Sequence, residues 1–324
     1  MGSSHHHHHH ENLYFQGVQA AVNTSEGCKN FFKTLDARIE AVDSLLTVGL
    51  DPHIADLPSP ATAERAFVFC ERIIRETLPF TCCYKPNSAF FEAFGPPGLQ
   101  ALERVCALIP DDVPILLDAK RGDIGSTAQA YASSAFDAFK ADGVTVNAYM
   151  GREAVRPFLS YRNKGVFVLV KTSNQSSNEF QTLPVRVESS SDTQDVPLYV
   201  QMARVCNELA QECVSEEDSP STTGHGLRHN ASGGGVGLVV GATDIEALRE
   251  VRKACPDLYI LAPGVGAQGA DLERALSAGL CKDGKGMLIP VSRGISRAEN
   301  LAAQANAYRE QINEVRRGIV QQYE

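Results

Sequence analysis

The stretch Val113-Pro-Ile-Leu-Leu-Asp118-Ala-Lys120-Arg-Gly-Asp123-Ile-Gly-Ser-Thr127 decides how the rest of the chain is read. Its apolar run, Ile115–Leu117, ends in Asp118, Lys120 and Asp123, and a helix pattern follows from Ser126. Continuous apolar runs mark strands buried on both faces of a parallel sheet, and in α/β folds the chemistry gathers at the carboxyl ends of such strands. Alternate residues of a strand point to one side, so Asp118 and Lys120 share a face while Asp123 lies in the turn beyond. Two carboxylates around one ammonium suit proton transfer. On their own, however, the same three residues are better accounted for as solvated charges at a surface strand end.

Outward from this stretch the pattern repeats. Apolar runs recur at Leu45–Asp51, Thr81–Asn87, Val144–Asn147, Val166–Lys171, Val236–Gly241, Leu258–Pro263 and Met287–Val291. Between them, three- and four-residue apolar spacings predict helices over Ala61–Thr77, Leu99–Leu108, Thr127–Lys140, Arg152–Tyr161, Leu198–Cys213, Thr243–Cys255, Ala270–Ala278 and Arg297–Tyr323. One more helix precedes the first strand, with Phe31, Phe32, Leu35, Ile39 and Val42 on one face. Eight strand–helix units imply parallel pairing and right-handed crossovers, and in a chain of this length they suit a closed (β/α)8 TIM barrel better than an open sheet. The fold class is therefore α/β, a single barrel domain over residues 18–324. Two polar loop insertions interrupt it, at about 175–195 and 215–235. Thr172–Asp195 has no apolar period and reads as a long exposed loop; Ser215–Gly235 contains Ser-Pro-Ser-Thr-Thr-Gly and reads as mobile.

Residues 1–17 are an expression tag, His5–His10, followed by a protease-cleavage linker, Glu11-Asn-Leu-Tyr-Phe-Gln-Gly17. The formal charge of −9 includes Glu11, so the remainder carries −8. That mild acidity argues against a nucleic-acid partner or an anionic membrane surface. No apolar run approaches the roughly 20 residues of a membrane helix. Nine cysteines without a C-x-x-C pair or a signal peptide read as reduced thiols of a cytoplasmic protein. His225-x-x-x-His229 has helical metal-ligand spacing but sits in a Ser/Gly-rich stretch, so no metal site is expected there.

In a barrel the strand ends converge on one mouth. Here they carry Asp51, Lys85, Asn87, Asp118, Lys120, Asn147, Lys171, Thr172, Ser173, Gln268, Ser292 and Arg293. Nearly every strand ends in a polar or charged group, which moves Asp118 and Lys120 from the solvated reading to the catalytic one. After the seventh and eighth strands come Pro263-Gly-Val-Gly-Ala-Gln268-Gly269 and Ser292-Arg293-Gly294-Ile295. Small residues let backbone N–H groups approach an anion and a guanidinium can clamp its oxygens, so the two loops together favour a phosphorylated ligand. Gly264-x-Gly266-x-x-Gly269 also matches a dinucleotide fingerprint. The next strand ends not in an acid but in Arg293, which could accept an NADP 2′-phosphate, but the motif falls nearer the end of the chain than that fold usually places it.

Read together, Gly49-Leu-Asp51-Pro52, Lys85-Pro-Asn87, Asp118-x-Lys120-x-x-Asp123-Ile124-x-x-Thr127, Asn147-x-Tyr-Met-Gly151, Lys171-Thr-Ser-Asn174, Pro263-Gly-x-Gly-Ala-Gln268-Gly269 and Ser292-Arg293-Gly-Ile295 resemble the orotidine 5′-monophosphate decarboxylase family. The resemblance spans Leu45 to about Ser296, with the motifs in the family's order. D-x-K-x-x-D is shared with metal-dependent sugar-phosphate decarboxylases and hexulose-phosphate synthases. The Lys85-Pro-Asn and Lys171-Thr-Ser-Asn strings separate the chain from them. Ala148 and Gln175 stand where related sequences often carry proline.

The resemblance implies a homodimer with shared active sites that converts orotidine 5′-monophosphate to UMP, the last step of de novo pyrimidine synthesis, without metal or organic cofactor. It implies catalytic roles for Lys120, Asp118, Lys85 and Asp123, the last serving the neighbouring subunit. Asp51 and Asn87 would hold ribose or network groups, and Thr127 a ribose hydroxyl across the interface. Ser173 would read the pyrimidine edge, Gln268 and Arg293 would hold the phosphate, and Ile124, Thr172, Pro263 and Gly294 would also bind substrate. The alternative within enzymes is a metal-dependent sugar-phosphate decarboxylase or aldolase; from another class, it is a non-catalytic nucleotide-binding barrel.

Overall fold

Phe31 and Phe32 form the floor on which the strands stand. The computed structural model describes residues 29–188, 193–215, 226–265 and 271–324. Helix α1 (Phe32–Val42) buries Phe32, Leu35 and Ile39, and the Phe31 and Phe32 rings meet edge to face at 4.9 Å. Phe31 reaches Phe167 at 5.3 Å between strands. The strands make room for this plug with glycine: a Cβ on Gly143 or Gly165 would lie 2.9 or 2.8 Å from the Phe31 ring.

Above the floor stand eight parallel strands: β1 (Leu46–Leu50), β2 (Cys83–Pro86), β3 (Leu116–Arg121), β4 (Gly143–Val146), β5 (Gly165–Lys171), β8 (Gly235–Val240), β9 (Ile260–Leu261) and β10 (Met287–Val291). Their order is β2-β1-β10-β9-β8-β5-β4-β3. The two ends meet through single bridges, Tyr84 with Ile115 and Asn87 with Asp118, which close the barrel. Every residue of β1, β8 and β10 is buried, as expected of strands covered on both faces. Each fully buried Val, Leu or Ile there contributes about 1.5–3 kcal/mol.

Helices return the chain between strands: α2 (Ala63–Thr77), α3 (Ser88–Glu92), α4 (Pro96–Leu108), α5 (Gly125–Ser133), α6 (Arg156–Leu159), α7 (Leu198–Ser215), α8 (Ile245–Ala254), α9 (Leu272–Gly279), α10 (Arg293–Ser296) and α11 (Leu301–Gln322). Several start on side-chain caps. Thr62, Asp244, Asp271 and Asn300 accept hydrogen bonds from backbone N–H groups of α2, α8, α9 and α11, each stabilising by about 1 kcal/mol. No helix of the described residues is long and apolar enough to cross a membrane.

The barrel expected from the alternating runs is present, and three local expectations are corrected. Thr172–Asp195 is not one exposed loop: a 3-10 turn spans Gln175–Glu179, and β6 (Pro184–Glu188) pairs antiparallel with β7 (Thr193–Pro197). Val185, Val187 and Val196 turn inward there, a two-residue alternation too short to stand out among polar neighbours. The helix expected over Arg152–Tyr161 shrinks to a 3-10 turn and the four residues of α6, where Pro157 occupies the first turn. In the second insertion, positions 216–225 lie outside the described residues. Beyond them Arg228, His229 and Asn230 are buried, and the His229 ring stacks on Phe32 at 6.3 Å. That segment completes the barrel floor. His225, the other half of the histidine pair, lies outside the described residues.

Candidate active site

The end of β3 departs from regular pairing. Leu116 and Leu117 register with Gly143 and Val144, but the next paired residues are Arg121 and Val146. Asp118, Ala119 and Lys120 therefore face the single residue Thr145. Such bulges bend a strand and re-aim its side chains. Lys120 takes a left-handed backbone, φ +50°, a conformation that costs a residue with a Cβ about 1–2 kcal/mol and persists where neighbours impose it.

The bulge assembles a charge network across the seam of the barrel. Asp118 Oδ1 accepts from Lys120 Nζ at 2.7 Å and from the Thr145 hydroxyl at 2.9 Å; Oδ2 accepts from Lys85 Nζ at 3.0 Å. Asp118 and Lys85 are buried, whereas the Lys120 side chain is 49% exposed and reaches into the mouth. Burial opposes ionisation of Asp118, but Lys85 and Lys120 outweigh it and hold the carboxyl far below the usual carboxylate range. Burial likewise opposes the Lys85 ammonium, and Asp118 and Asp51 overcome it, raising its pKa. Asp51 Oδ1 is buried without a hydrogen-bond partner among the described residues.

The other expected residues divide. Asn87 caps α3 through Oδ1, which accepts from Ala89 N–H at 3.1 Å. Asp123 does not pair with Lys120: its Oδ1 accepts from Ile124 N–H at 2.8 Å, and Asp118 is the one carboxylate within ion-pairing distance of Lys120 among the described residues. Ile124 and Thr127 are exposed. Lys171 turns away from the network and is buried against Ser177 Oγ at 2.9 Å and Asp244 Oδ2 at 3.3 Å, tying the loop after β5 to the start of α8. Ser173 packs where β8 ends, and a Cβ on Gly241 would lie 2.8 Å from its Cβ. Pro263 accepts from Ala242 N–H at 2.7 Å. Arg293 is exposed and has no carboxylate partner among the described residues, and a side chain on Gly294 would collide with the Tyr308 hydroxyl. Gln268 lies outside the described residues.

Two residues of this site were not singled out from sequence. Thr145 is the polar member of the buried triplet Val144-Thr-Val146, a signal visible only once the strand is placed beside Asp118. Gln181 grips Thr172 twice, its Oε1 accepting from the backbone N–H and its Nε2 donating to the hydroxyl, both at 2.7 Å. Nothing in the polar run around Gln181 marks it out.

Residues 44–308 match the model of the orotidine 5′-phosphate decarboxylase / HUMPS family, from before β1 into α11. The chain belongs to that family. An orotidine 5′-phosphate decarboxylase of Roseiflexus castenholzii is 42% identical over 290 residues, covering 88% of this chain and 96% of its relative. A crystal structure described as an orotidine-monophosphate decarboxylase of Toxoplasma gondii aligns with a TM-score of 0.89 at 98% identity, covering 92% of this chain and 100% of the other. The OMP decarboxylase of Leishmania donovani aligns with a TM-score of 0.72 at 41% identity, over 89% and 98%. Membership of this family, together with closure of the sheet, removes the dinucleotide-binding reading of the Gly264 loop.

Proposed function

We propose that this chain is a cofactor-independent carboxy-lyase that converts orotidine 5′-monophosphate to UMP in pyrimidine synthesis. The observation that carries the reading is the buried Asp118 carboxylate between Lys85 and Lys120 at the strand ends of a barrel of this family. When the bond from C6 to the carboxyl carbon breaks, the electron pair stays on C6 and CO2 leaves. Lys120 then gives a proton to C6, and solvent recharges its amine. The ring offers no electron sink, so the barrier must fall through electrostatics placed in advance. The Lys120 ammonium supplies that field and also quenches the charge. Asp118 beside the substrate carboxylate repels it by about 4 kcal/mol at ~4 Å and an effective dielectric of 20, a repulsion that vanishes with CO2. We rank this below stabilisation of the carbanion.

In this reading Lys85, Asp51 and Asn87 hold the ribose and the network. Thr172, held by Gln181, and Ser173 read the pyrimidine edge. Arg293, Gly294, Pro263 and Gln268 take the phosphate, remote from C6, where binding energy serves to organise the charged network. Asp123, Ile124 and Thr127 act in the neighbouring subunit's site of a homodimer. Support for the dimer comes from the absence of a second carboxylate beside Lys120 within one chain, among the described residues. It also comes from an apolar face at the β4 loop, where Tyr149 is 89% exposed beside a groove of about 640 Å3 lined by Met150, Val155, Leu198, Met202, Val205 and Leu209. Free cysteines, seven of them buried among the described residues, fit a reducing cytoplasm.

The test is incubation of the protein with orotidine 5′-monophosphate, following loss of its ultraviolet absorbance, with and without a chelator. Turnover that survives chelation is expected. Turnover abolished by chelation would overturn the cofactor-independent part of the proposal, and absence of turnover under all conditions defeats it.

A further inference from the structure

The bulge at the end of β3 is built against one side chain. Thr145 is buried and is the residue of β4 opposite the triplet Asp118, Ala119 and Lys120. A hydroxyl has one donor and two acceptor positions, and here all three are used on that triplet. It accepts from Ala119 N–H and from Lys120 N–H, both at 3.0 Å, and donates to Asp118 Oδ1 at 2.9 Å. The two amides thus bond to a side chain where a regular ladder would offer them carbonyls. Buried amides do not stay unpaired. Without the hydroxyl they must recover partners from the β4 backbone, and a change of register turns strand side chains to the opposite face.

We infer that Thr145 is a positioning residue for the reaction, its hydroxyl holding the bulge that directs the Lys120 ammonium and the Asp118 carboxylate into the mouth. The inference rests on the decarboxylase reading of this site. Thr145 acts through Asp118 and Lys120, so its substitution changes where the proton stands rather than whether nucleotide binds.

Thr145→Val keeps the volume and removes the hydroxyl; Thr145→Ala removes it with less bulk, so the answer does not depend on one variant folding; Thr145→Ser retains it. Valine is expected to lower kcat at least tenfold with KM within threefold. It should also lower at least tenfold the preference for a pyrimidine nucleotide bearing an anionic oxygen at C6 over UMP, and serine should restore both to within threefold. Exchange of the amide hydrogens at residues 119 and 120, which needs no substrate, should quicken at least tenfold in valine and not in serine. Unchanged kcat and preference in both valine and alanine, an equal loss of both affinities, or failure of serine to restore them would overturn the inference. A wild-type protein without turnover would defeat the functional reading alone, since the exchange measurement still decides whether the hydroxyl holds the bulge.

Discussion

Replacing Asp118 with asparagine preserves the side chain's shape and deletes one charge from a cluster of Lys85, Lys120, Asp118 and Asp51. Lys85 Nζ stands 3.0 Å from Asp118 Oδ2, so at an effective dielectric of 20 about 5 kcal/mol of attraction disappears. Lys120 is half-exposed and its pairing is screened, adding about 1 kcal/mol or less. Against this stands the relieved desolvation of a buried carboxylate, worth several kcal/mol. The Lys85 ammonium keeps its own desolvation with Asp51 as the main charge left to answer it. The balance is a destabilisation of about 2–4 kcal/mol, toward the low side for breaking a buried pair. For a chain of this length that lowers Tm by roughly 4–8 °C near pH 7.

The pH dependence gives a sharper signature. In the wild type the raised pKa of Lys85 means its contribution is complete below the unfolded value of about 10.4 and is lost only as pH climbs through the folded value. In Asp118→Asn burial, the largest influence on Lys85, is opposed chiefly by Asp51, so its folded pKa is expected to fall below the unfolded one. The ammonium then costs stability at neutral pH, and that cost fades as pH rises toward 10. Asp118 itself, depressed in the wild type, contributes above the ordinary carboxylate range and loses its contribution as pH falls below about 4. Scanning calorimetry from pH 3 to 10 should therefore show the gap between the two proteins widest near neutrality and narrowing at both ends. A gap constant across that range, or equal Tm values at pH 7, would refute the charge accounting.

Two further substitutions probe the proposed chemistry. Lys120→Ala should reduce turnover at least a thousandfold, as loss of both the proton donor and the field it exerts, while UMP affinity stays measurable by calorimetric titration; kcat near the wild-type value would remove Lys120 from the reaction. Arg293→Ala should lower kcat/KM for orotidine 5′-monophosphate at least a hundredfold more than for orotidine without phosphate, and equal losses on the two substrates would leave Arg293 without a phosphate role.

The strands were legible because burial on both faces demands continuous apolar runs, and Leu46–Leu50, Gly235–Val240 and Met287–Val291 have no other reading. The convergence of Lys85, Asp118 and Lys120 followed from barrel geometry alone. Less visible were features whose cause lies in another element. The hairpin of β6 and β7 exists because Val185, Val187 and Val196 find apolar neighbours, which no local spacing foretells. The helix over Arg152–Tyr161 failed on Pro157 and on burial of Phe158 and Leu159, which makes the segment part of the core rather than an amphipathic surface. Lys171 looked like a mouth residue by position, and is instead absorbed by Ser177 and Asp244 from loops that sequence could not place beside it.

The position of the network within the barrel carries a consequence. Seven neighbouring strand pairs are joined by registered ladders, while β2 and β3 meet through only two bridges, one of them between Asn87 and Asp118. Lys85 lies between the bridged positions on β2, and its ammonium crosses the same seam to Asp118. The ion pair thus joins two edges that meet through isolated bridges rather than a continuous ladder, and the same carboxylate orients Lys120. Closure and chemistry share one group, so variants of Lys85 and Asp118 should lose stability and turnover together. Thr145 bonds to the bulge from β4, on the far side of β3 from the seam, so its variants should disturb the bulge without loosening the β2–β3 closure.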